Sequence, residues 1–382
     1  MLSLIATIAC SMILLGGCSV FAKKPEVDHA RVKQFADRGY DSGIYYATTM
    51  TRSTLNTGNE SFQITLLQPV RDGKYPAVLY LPGLGQSGGA GADMRRAWAE
   101  SGFVVLSLEP LKGDANAWST DAARSGDYTF IRHERYSSEV VTERLDVLAK
   151  LLEYLKQHSL SGAPGFAHVD LSHVAIAGFD VGAYSAMIAA GESAENVSLP
   201  GLSLKPDAVI ALSPHADFSG SDFDARYQPV KLPVLSVAGD ADSDTHGSDV
   251  ALLHQAPFQY MPPGNKYLLL LARASHTDIG DDFTAGAASD KGNGQQTGNG
   301  EAGSAGGHGD HHGNRSSHGG NDPGSSRSGT SSLTRRAMMG VAIDQVTTAF
   351  LNAYIKHDRL SRAWLKNDAG PWLDKIGQLR EK

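Results

Sequence analysis

The sequence predicts an α/β protein built on one mostly parallel central sheet with helices on both faces. Three observations carry this. Short continuous apolar runs recur at 77–81, 103–108, 174–177, 208–212, 233–238 and 267–271, the pattern of strands buried on both faces. Segments with helical spacing lie between them, the alternation of βαβ units. The 382 residues are 41% hydrophobic and 20% charged, enough apolar material for one large core.

Phe62 to Leu67 alternates as an early strand. Ala77-Val78-Leu79-Tyr80-Leu81 stops at Pro82-Gly83, a turn signal. Residues 91–101 read as a helix that Gly102 ends. Phe103 to Leu108 is the next strand. Over 136–157, Val141, Leu145, Leu148, Leu152 and Leu155 fall on one helical face. His173 to Gly178 is a strand entering a sharp turn, and Ala183 to Gly191 is small and apolar, suiting a buried helix. Ala208 to Leu212, Pro233 to Ala238 and Tyr267 to Leu271 are three more core strands, and 337–357 is a closing amphipathic helix.

Composition excludes several functions. The net charge of −7 argues against a general nucleic-acid binder. Two cysteines, Cys10 and Cys18, cannot form a disulfide scaffold or a cysteine-based zinc site. No internal apolar run is long enough to span a bilayer. No Gly-x-Gly-x-x-Gly or Walker-type motif is present, so no nucleotide cofactor is expected, and no metal ligand set is assigned.

Leu2 to Leu15 is an apolar stretch of signal-peptide length, although no Lys or Arg precedes it. It runs into Leu15-Gly16-Gly17-Cys18, which resembles the bacterial lipoprotein signal. That resemblance implies a signal peptide over 1–18, lipid on Cys18, a tether over 19–39, and a soluble domain held at a membrane of the bacterial cell envelope. A buried N-terminal helix is the alternative. Residues 284–332 hold 14 Gly and 9 Ser with almost no large apolar side chains. Such a stretch cannot offset its ordering entropy, and it reads as a disordered insertion within a domain made of 40–283 and 333–382. Its His308, Asp310, His311, His312 and His318 are read as a solvated polar tract rather than a metal site.

The segment that carries chemistry is Val174-Ala175-Ile176-Ala177-Gly178-Phe179-Asp180-Val181-Gly182-Ala183. A strand, then Gly-x-Asp-x-Gly, then a helix of small residues resembles the nucleophile elbow of the α/β-hydrolases, with Asp180 where most members carry Ser. Pro76 to Gly85 resembles the strand and His-Gly-Leu-Gly turn of the dienelactone hydrolase and platelet-activating-factor acetylhydrolase-like group, with Pro82 in place of His. Val346 to Tyr354 resembles that group's final helix. The resemblance implies an α/β-hydrolase fold without a large cap domain, the stretch 213–232 being too short for one. It also implies an oxyanion hole from the backbone N–H groups of Leu84 and Val181, and a triad in the order nucleophile, acid, His. The Gly-x-x-Asp pattern puts the acid at Asp242, with Asp240 and Asp244 as competitors, and His276 follows the last core strand. His133, His215, His246 and His254 read as surface or packing residues.

A carboxylate at the elbow is already anionic and can displace a leaving group at an sp³ carbon, as in haloalkane dehalogenases and epoxide hydrolases, which share the fold and the Gly-x-Asp-x-Gly turn. Their elbows continue with Trp or Arg, whereas Val181 stands here. The region 113–135, with Trp118, Tyr128 and Phe130, is a candidate pocket cover or ordinary packing. Three readings follow. The first is a hydrolase of small esters or related substrates with an Asp180–Asp242–His276 triad. The second is a dehalogenase or epoxide hydrolase acting through an alkyl-Asp180 intermediate. The third is a non-catalytic surface lipoprotein that binds a small ligand. None calls for a cofactor or a nucleic-acid partner.

Overall fold

The computed structural model describes residues 26–58, 60–216, 222–243, 250–280 and 330–382. The predicted signal peptide, Cys18, and the insertion except for its last three residues lie outside the described residues.

In chain order the elements are α1 (His29–Asp37), β1 (Thr48–Asn56), β2 (Ser61–Pro69), β3 (Tyr75–Leu81), α2 (Ala92–Glu100), β4 (Val104–Leu108), α3 (Lys112–Ala115), α4 (Asp121–Ser125), α5 (Tyr128–Arg135), α6 (Ser138–Leu160) and β5 (Val169–Phe179). There follow α7 (Val181–Ala189), β6 (Ala208–Leu212), α8 (Phe223–Tyr227), β7 (Val234–Gly239), α9 (Ala256–Tyr260), β8 (Lys266–Leu271), α10 (His276–Gly280), α11 (Ser332–Tyr354), α12 (Arg359–Asn367), α13 (Ala369–Leu373) and β9 (Gly377–Glu381).

The nine strands form one sheet in the order β1-β2-β4-β3-β5-β6-β7-β8-β9. The six strands from β4 to β8 run parallel, while β1, β2 and β9 pair antiparallel at the edges. The molecule is thus an α/β protein with a mostly parallel sheet, as the apolar runs predict, and no large cap is evident among the described residues. Period two decides the layers. Val78 and Tyr80 of β3 face one cluster with α2 and α11, whereas Ala77, Leu79 and Leu81 face the other with α6 and α7. Because both faces are covered, every residue of β4, β6 and β7 is buried. Among the described residues no helix is long and apolar enough to cross a membrane.

The folded part begins before residue 40, inside the stretch expected to be a tether. Asp28 caps α1, and Phe35 stacks on Trp372 with ring centroids 4.5 Å apart. The helix carries too few apolar residues to show a periodic stripe. The edge strands β1 and β9 were also beyond sequence reading, because their residues are mostly exposed and polar. The closing helix starts at Ser332 rather than 337, where the Ser331 hydroxyl accepts from the Thr334 N–H at 3.1 Å.

The topology sets where a site can form. From β3 the chain steps to β4 on one side, then returns to β5 on the other. The crevice beyond the carboxyl ends of β3 and β5 is therefore a switch point, where open α/β sheets bind ligands.

Candidate active site

Asp180 sits in that crevice, directly after β5, with φ 53° and ψ −117°. This backbone region is costly for a residue with a side chain, by about 1–3 kcal/mol, and persists only where surrounding packing enforces it. Two glycines do so. A Cβ on Gly182 would lie 2.1 Å from the Leu81 carbonyl oxygen, and one on Gly178 would lie 2.3 Å from the Gly182 carbonyl carbon. Bare backbone at both positions lets α7 press against β3, which aims the Asp180 side chain out of the sheet.

The Asp180 carboxylate has two partners. Oδ2 accepts from the Leu84 backbone N–H at 3.0 Å, and Oδ1 accepts a short hydrogen bond from the Tyr136 hydroxyl. Leu84 N–H is one of the two donors expected to form an oxyanion hole. Here it is aimed at the elbow and engaged by the elbow's own side chain. Val181, expected to supply the second, opens α7, and its buried side chain packs with Leu84, Ala117 and Ile131.

Asp242 and His276 come together from the ends of β7 and β8. His276 Nδ1 lies 2.9 Å from Asp242 Oδ1. The Ser213 hydroxyl donates to Asp242 Oδ2 at 2.7 Å, and the Gly239 N–H reaches the same oxygen at 3.4 Å. A carboxylate only accepts, so Nδ1 of His276 carries the proton and Nε2 is the atom for acid–base work. Asp242 is fully buried. Burial alone would raise its pKa. The His276 hydrogen bond, the electrostatic attraction of the His254 and His276 rings and the Ser213 hydroxyl together outweigh burial and hold it below the ordinary carboxylate value.

Of the competing acids, Asp240 is exposed and accepts from the Arg273 N–H, and Asp244 lies outside the described residues. Asp180 and His276 share no hydrogen bond among the described residues, yet they are close neighbours. Phe179, the residue before Asp180, packs its ring on His276 at 4.7 Å between centroids. The Gln86 side chain bridges the same two regions, accepting from the Gly83 N–H at 2.9 Å and donating to the Gly280 carbonyl at 2.7 Å.

Two residues at the site were missed by sequence reasoning. Tyr136 stands one position before the helix cap Ser137, with no motif around it, and its ring lies 4.0 Å from that of His215. His254, read as a packing residue, is buried with Nε2 3.7 Å from Asp242 Oδ1. The region 113–135, read as a pocket cover or as ordinary packing, reaches the Leu84 loop through Trp118. Trp118 Nε1 donates to the Leu84 carbonyl at 3.3 Å and its ring meets Tyr128, whereas Phe130 is largely exposed. His133 is exposed, His215 is buried, and His246 lies outside the described residues.

A buried ion pair pins this cover to the site. The Arg144 guanidinium holds Asp114 through Nε at 2.6 Å and Nη2 at 2.8 Å, and Nη2 also donates to the Arg135 carbonyl. The Asp114 carbonyl accepts from Gly85, next to Leu84. Removing one partner leaves a charge buried without its counterpart. Asp114→Ala is expected to lose about 3–5 kcal/mol in urea denaturation, and Asp114→Ala with Arg144→Met to recover part of it. A single-variant loss below about 1 kcal/mol would show that the pair does not hold the cover.

The depressed pKa of Asp242 makes stability pH-dependent. The group stabilises the fold above its unfolded pKa, near 4, and that contribution is lost as pH falls through the lower folded value. Denaturation curves between pH 5 and 3 are expected to show a steeper loss for the native chain than for Asp242→Asn. Equal slopes would exclude a paired, ionised Asp242.

A pocket of about 740 Å³ lies between α1 and α13, away from Asp180. A small cavity of about 40 Å³ beneath the elbow is lined by Leu81, Gly182, Ser185 and the Asp114–Arg144 pair. We place the candidate site at Asp180 rather than in that pocket, because among the described residues strained backbone, aimed donors and a nearby His–carboxylate pair converge there. No family model matches this chain, and no curated protein matches it.

Proposed function

We propose that this chain is an α/β-hydrolase-type hydrolase whose nucleophile is the Asp180 carboxylate, acting on an sp³ carbon through an alkyl-ester intermediate. The observation that carries the reading is Asp180 Oδ2 on the Leu84 N–H. An ester substrate would need that donor for its own carbonyl oxygen, and attack by a carboxylate on it would yield a high-energy anhydride. Direct hydrolysis of small esters therefore falls behind alkyl transfer. In alkyl transfer, one carboxylate oxygen attacks while the other already rests where negative charge must later be stabilised.

The steps balance. Asp180 Oδ1 forms a bond to carbon as the bond from carbon to the leaving group breaks, and the leaving group takes that electron pair. The Tyr136 hydroxyl is placed to move from Oδ1 to a leaving oxygen and give it a proton, which favours an epoxide over a carbon–halogen substrate. His276, oriented by Asp242, then takes a proton from water, which attacks the Asp180 ester carbonyl. The Leu84 N–H, with Val181 by the family resemblance, stabilises the oxyanion. Collapse passes the proton held by His276 to the departing alcohol and leaves Asp180 as the acid, whose remaining proton goes back to the Tyr136 phenolate beside it, so that carboxylate and hydroxyl are both restored.

A second reading rests on the same hydrogen bonds. Tyr136 and Leu84 together tie off both Asp180 oxygens, as a ligand-binding descendant of an enzyme would allow. The lipid anchor at Cys18 and the envelope location remain proposals that rest on Leu15 to Cys18 alone.

The test is incubation of the full chain and His276→Gln with short terminal epoxides, 1-haloalkanes and p-nitrophenyl acetate, followed by peptide mass mapping. Turnover by the native chain and a trapped adduct on Asp180 in His276→Gln are expected with the epoxides. Turnover of the acetate alone, without adduct, would restore the ester reading. No turnover and no adduct with any probe would favour the binding protein.

A further inference from the structure

We propose that Asp242, His254 and His276 form a binding site for a divalent transition-metal ion of the Zn²⁺ class. The ligand atoms are Asp242 Oδ1, His254 Nε2 and His276 Nδ1. The proposal does not rest on the hydrolytic reading, since it follows from the geometry of this cluster alone.

One ligand atom from each of the three residues lies within 4.8 Å of the other two, and all three are sheltered from solvent. His276 Nδ1 is 2.9 Å and His254 Nε2 3.7 Å from Asp242 Oδ1. A tetrahedral ion at about 2.0–2.1 Å from each donor sets the donors about 3.4 Å apart. The two observed distances straddle that spacing, so small side-chain rotations admit an ion.

The independent observation is at His254, which is 2% exposed. Its Nδ1 lies 3.0 Å from the Pro214 carbonyl, which only accepts, so Nδ1 carries a proton. With Nδ1 protonated, a neutral ring would turn the lone pair of Nε2 toward Asp242 Oδ1, 3.7 Å away. Nε2 is buried and has no hydrogen-bond partner among the described residues. A bound cation between the two would satisfy both atoms out of water. The surroundings match those of a ligating pair. A metal-bound imidazole usually donates its other N–H to a backbone carbonyl, as His254 does to Pro214, and a ligating carboxylate is steadied through its second oxygen, as Ser213 does for Asp242. Two imidazoles with one carboxylate favour Zn²⁺, Co²⁺ or Fe²⁺ over the oxygen-seeking Mg²⁺ and Ca²⁺. Binding takes the lone pair of His276 Nδ1, so its proton leaves to solvent. The bound ion and the Asp242–His276 hydrogen bond exclude each other.

The test uses the full chain, freed of metal with EDTA and titrated with ZnCl₂. Because the His-rich stretch 308–318 can also take zinc, the readouts report position. Zinc-edge anomalous diffraction is expected to show a peak about 2.0–2.2 Å from the three ligand atoms. The imidazole ¹⁵N resonances of His254 Nε2 and His276 Nδ1 are expected to shift, while the His254 Nδ1 proton stays in place. In equilibrium dialysis His254→Asn is expected to bind one equivalent less than the native chain. The diffraction and ¹⁵N readouts need no variant, so they decide the matter even where His254→Asn fails to fold. Zinc bound elsewhere with no peak at the cluster would overturn the proposal. So would a ¹⁵N spectrum showing a proton on His254 Nε2 that zinc leaves unchanged, since an imidazolium paired with Asp242 would then fill the role.

Discussion

Asp180→Asn is expected to abolish turnover of the epoxide probe by at least about 10³-fold while leaving the fold intact. A carboxamide oxygen is a poor nucleophile at carbon, and no other group at the elbow replaces it. Ser185, the serine on α7, donates to the Val181 carbonyl at 2.9 Å and is buried. The fold should survive for a local reason. Asn tolerates positive φ better than most residues, and its side-chain oxygen can still accept the Leu84 N–H. Circular dichroism and denaturation should therefore overlay those of the native chain. Asp180→Ser is the informative partner, because it frees the Leu84 N–H for a substrate carbonyl and places a hydroxyl where α/β-hydrolases carry theirs. Gain of p-nitrophenyl acetate hydrolysis by Asp180→Ser would show that His276 and Asp242 are set to serve the elbow. Full epoxide turnover by Asp180→Asn would remove Asp180 from the chemistry altogether.

Gly182→Ala is expected to damage the fold severely, costing more than about 4 kcal/mol or preventing folding. The added Cβ would meet the Leu81 carbonyl oxygen at 2.1 Å and the Pro82 carbonyl oxygen at 2.7 Å. These are backbone atoms at the end of a strand buried on both faces, so neither can swing aside. Relief requires α7 to move off β3, which would also dismantle the aim of Asp180. Gly201→Ala is the control. Its Cβ would meet nothing within 4 Å, and the change should stay within about 0.5 kcal/mol. A Gly182→Ala chain with native thermal stability would mean that α7 and β3 do not approach in this way.

These two positions also separate what was legible from what was not. Gly178, Asp180 and Gly182 could be read as a turn because their spacing is local, and one turn both requires and reveals it. His276 was legible for a related reason, standing just after the last core strand, and Asp242 was one of three acids in a single loop. Choosing among those acids needs burial. Of the two that the structure describes, Asp242 has no solvent exposure, a serine hydroxyl on one oxygen and an imidazole on the other, whereas Asp240 faces water.

By itself, the sequence determined the α/β class, the six core strands and the place of the elbow, because strand burial on both faces and a tight strand-to-helix turn impose patterns on neighbouring residues. Only the tertiary structure decided that Tyr136 meets Asp180, 44 residues along the chain, and that His254 shares Asp242 with His276. It also decided that Leu84 donates to Asp180 across 96 residues, so that the elbow carboxylate rests in the expected oxyanion position. Such contacts depend on where β3, β5, β7 and β8 end relative to one another. That alignment is a property of sheet order and register, which leave no trace in the residues beside each contact.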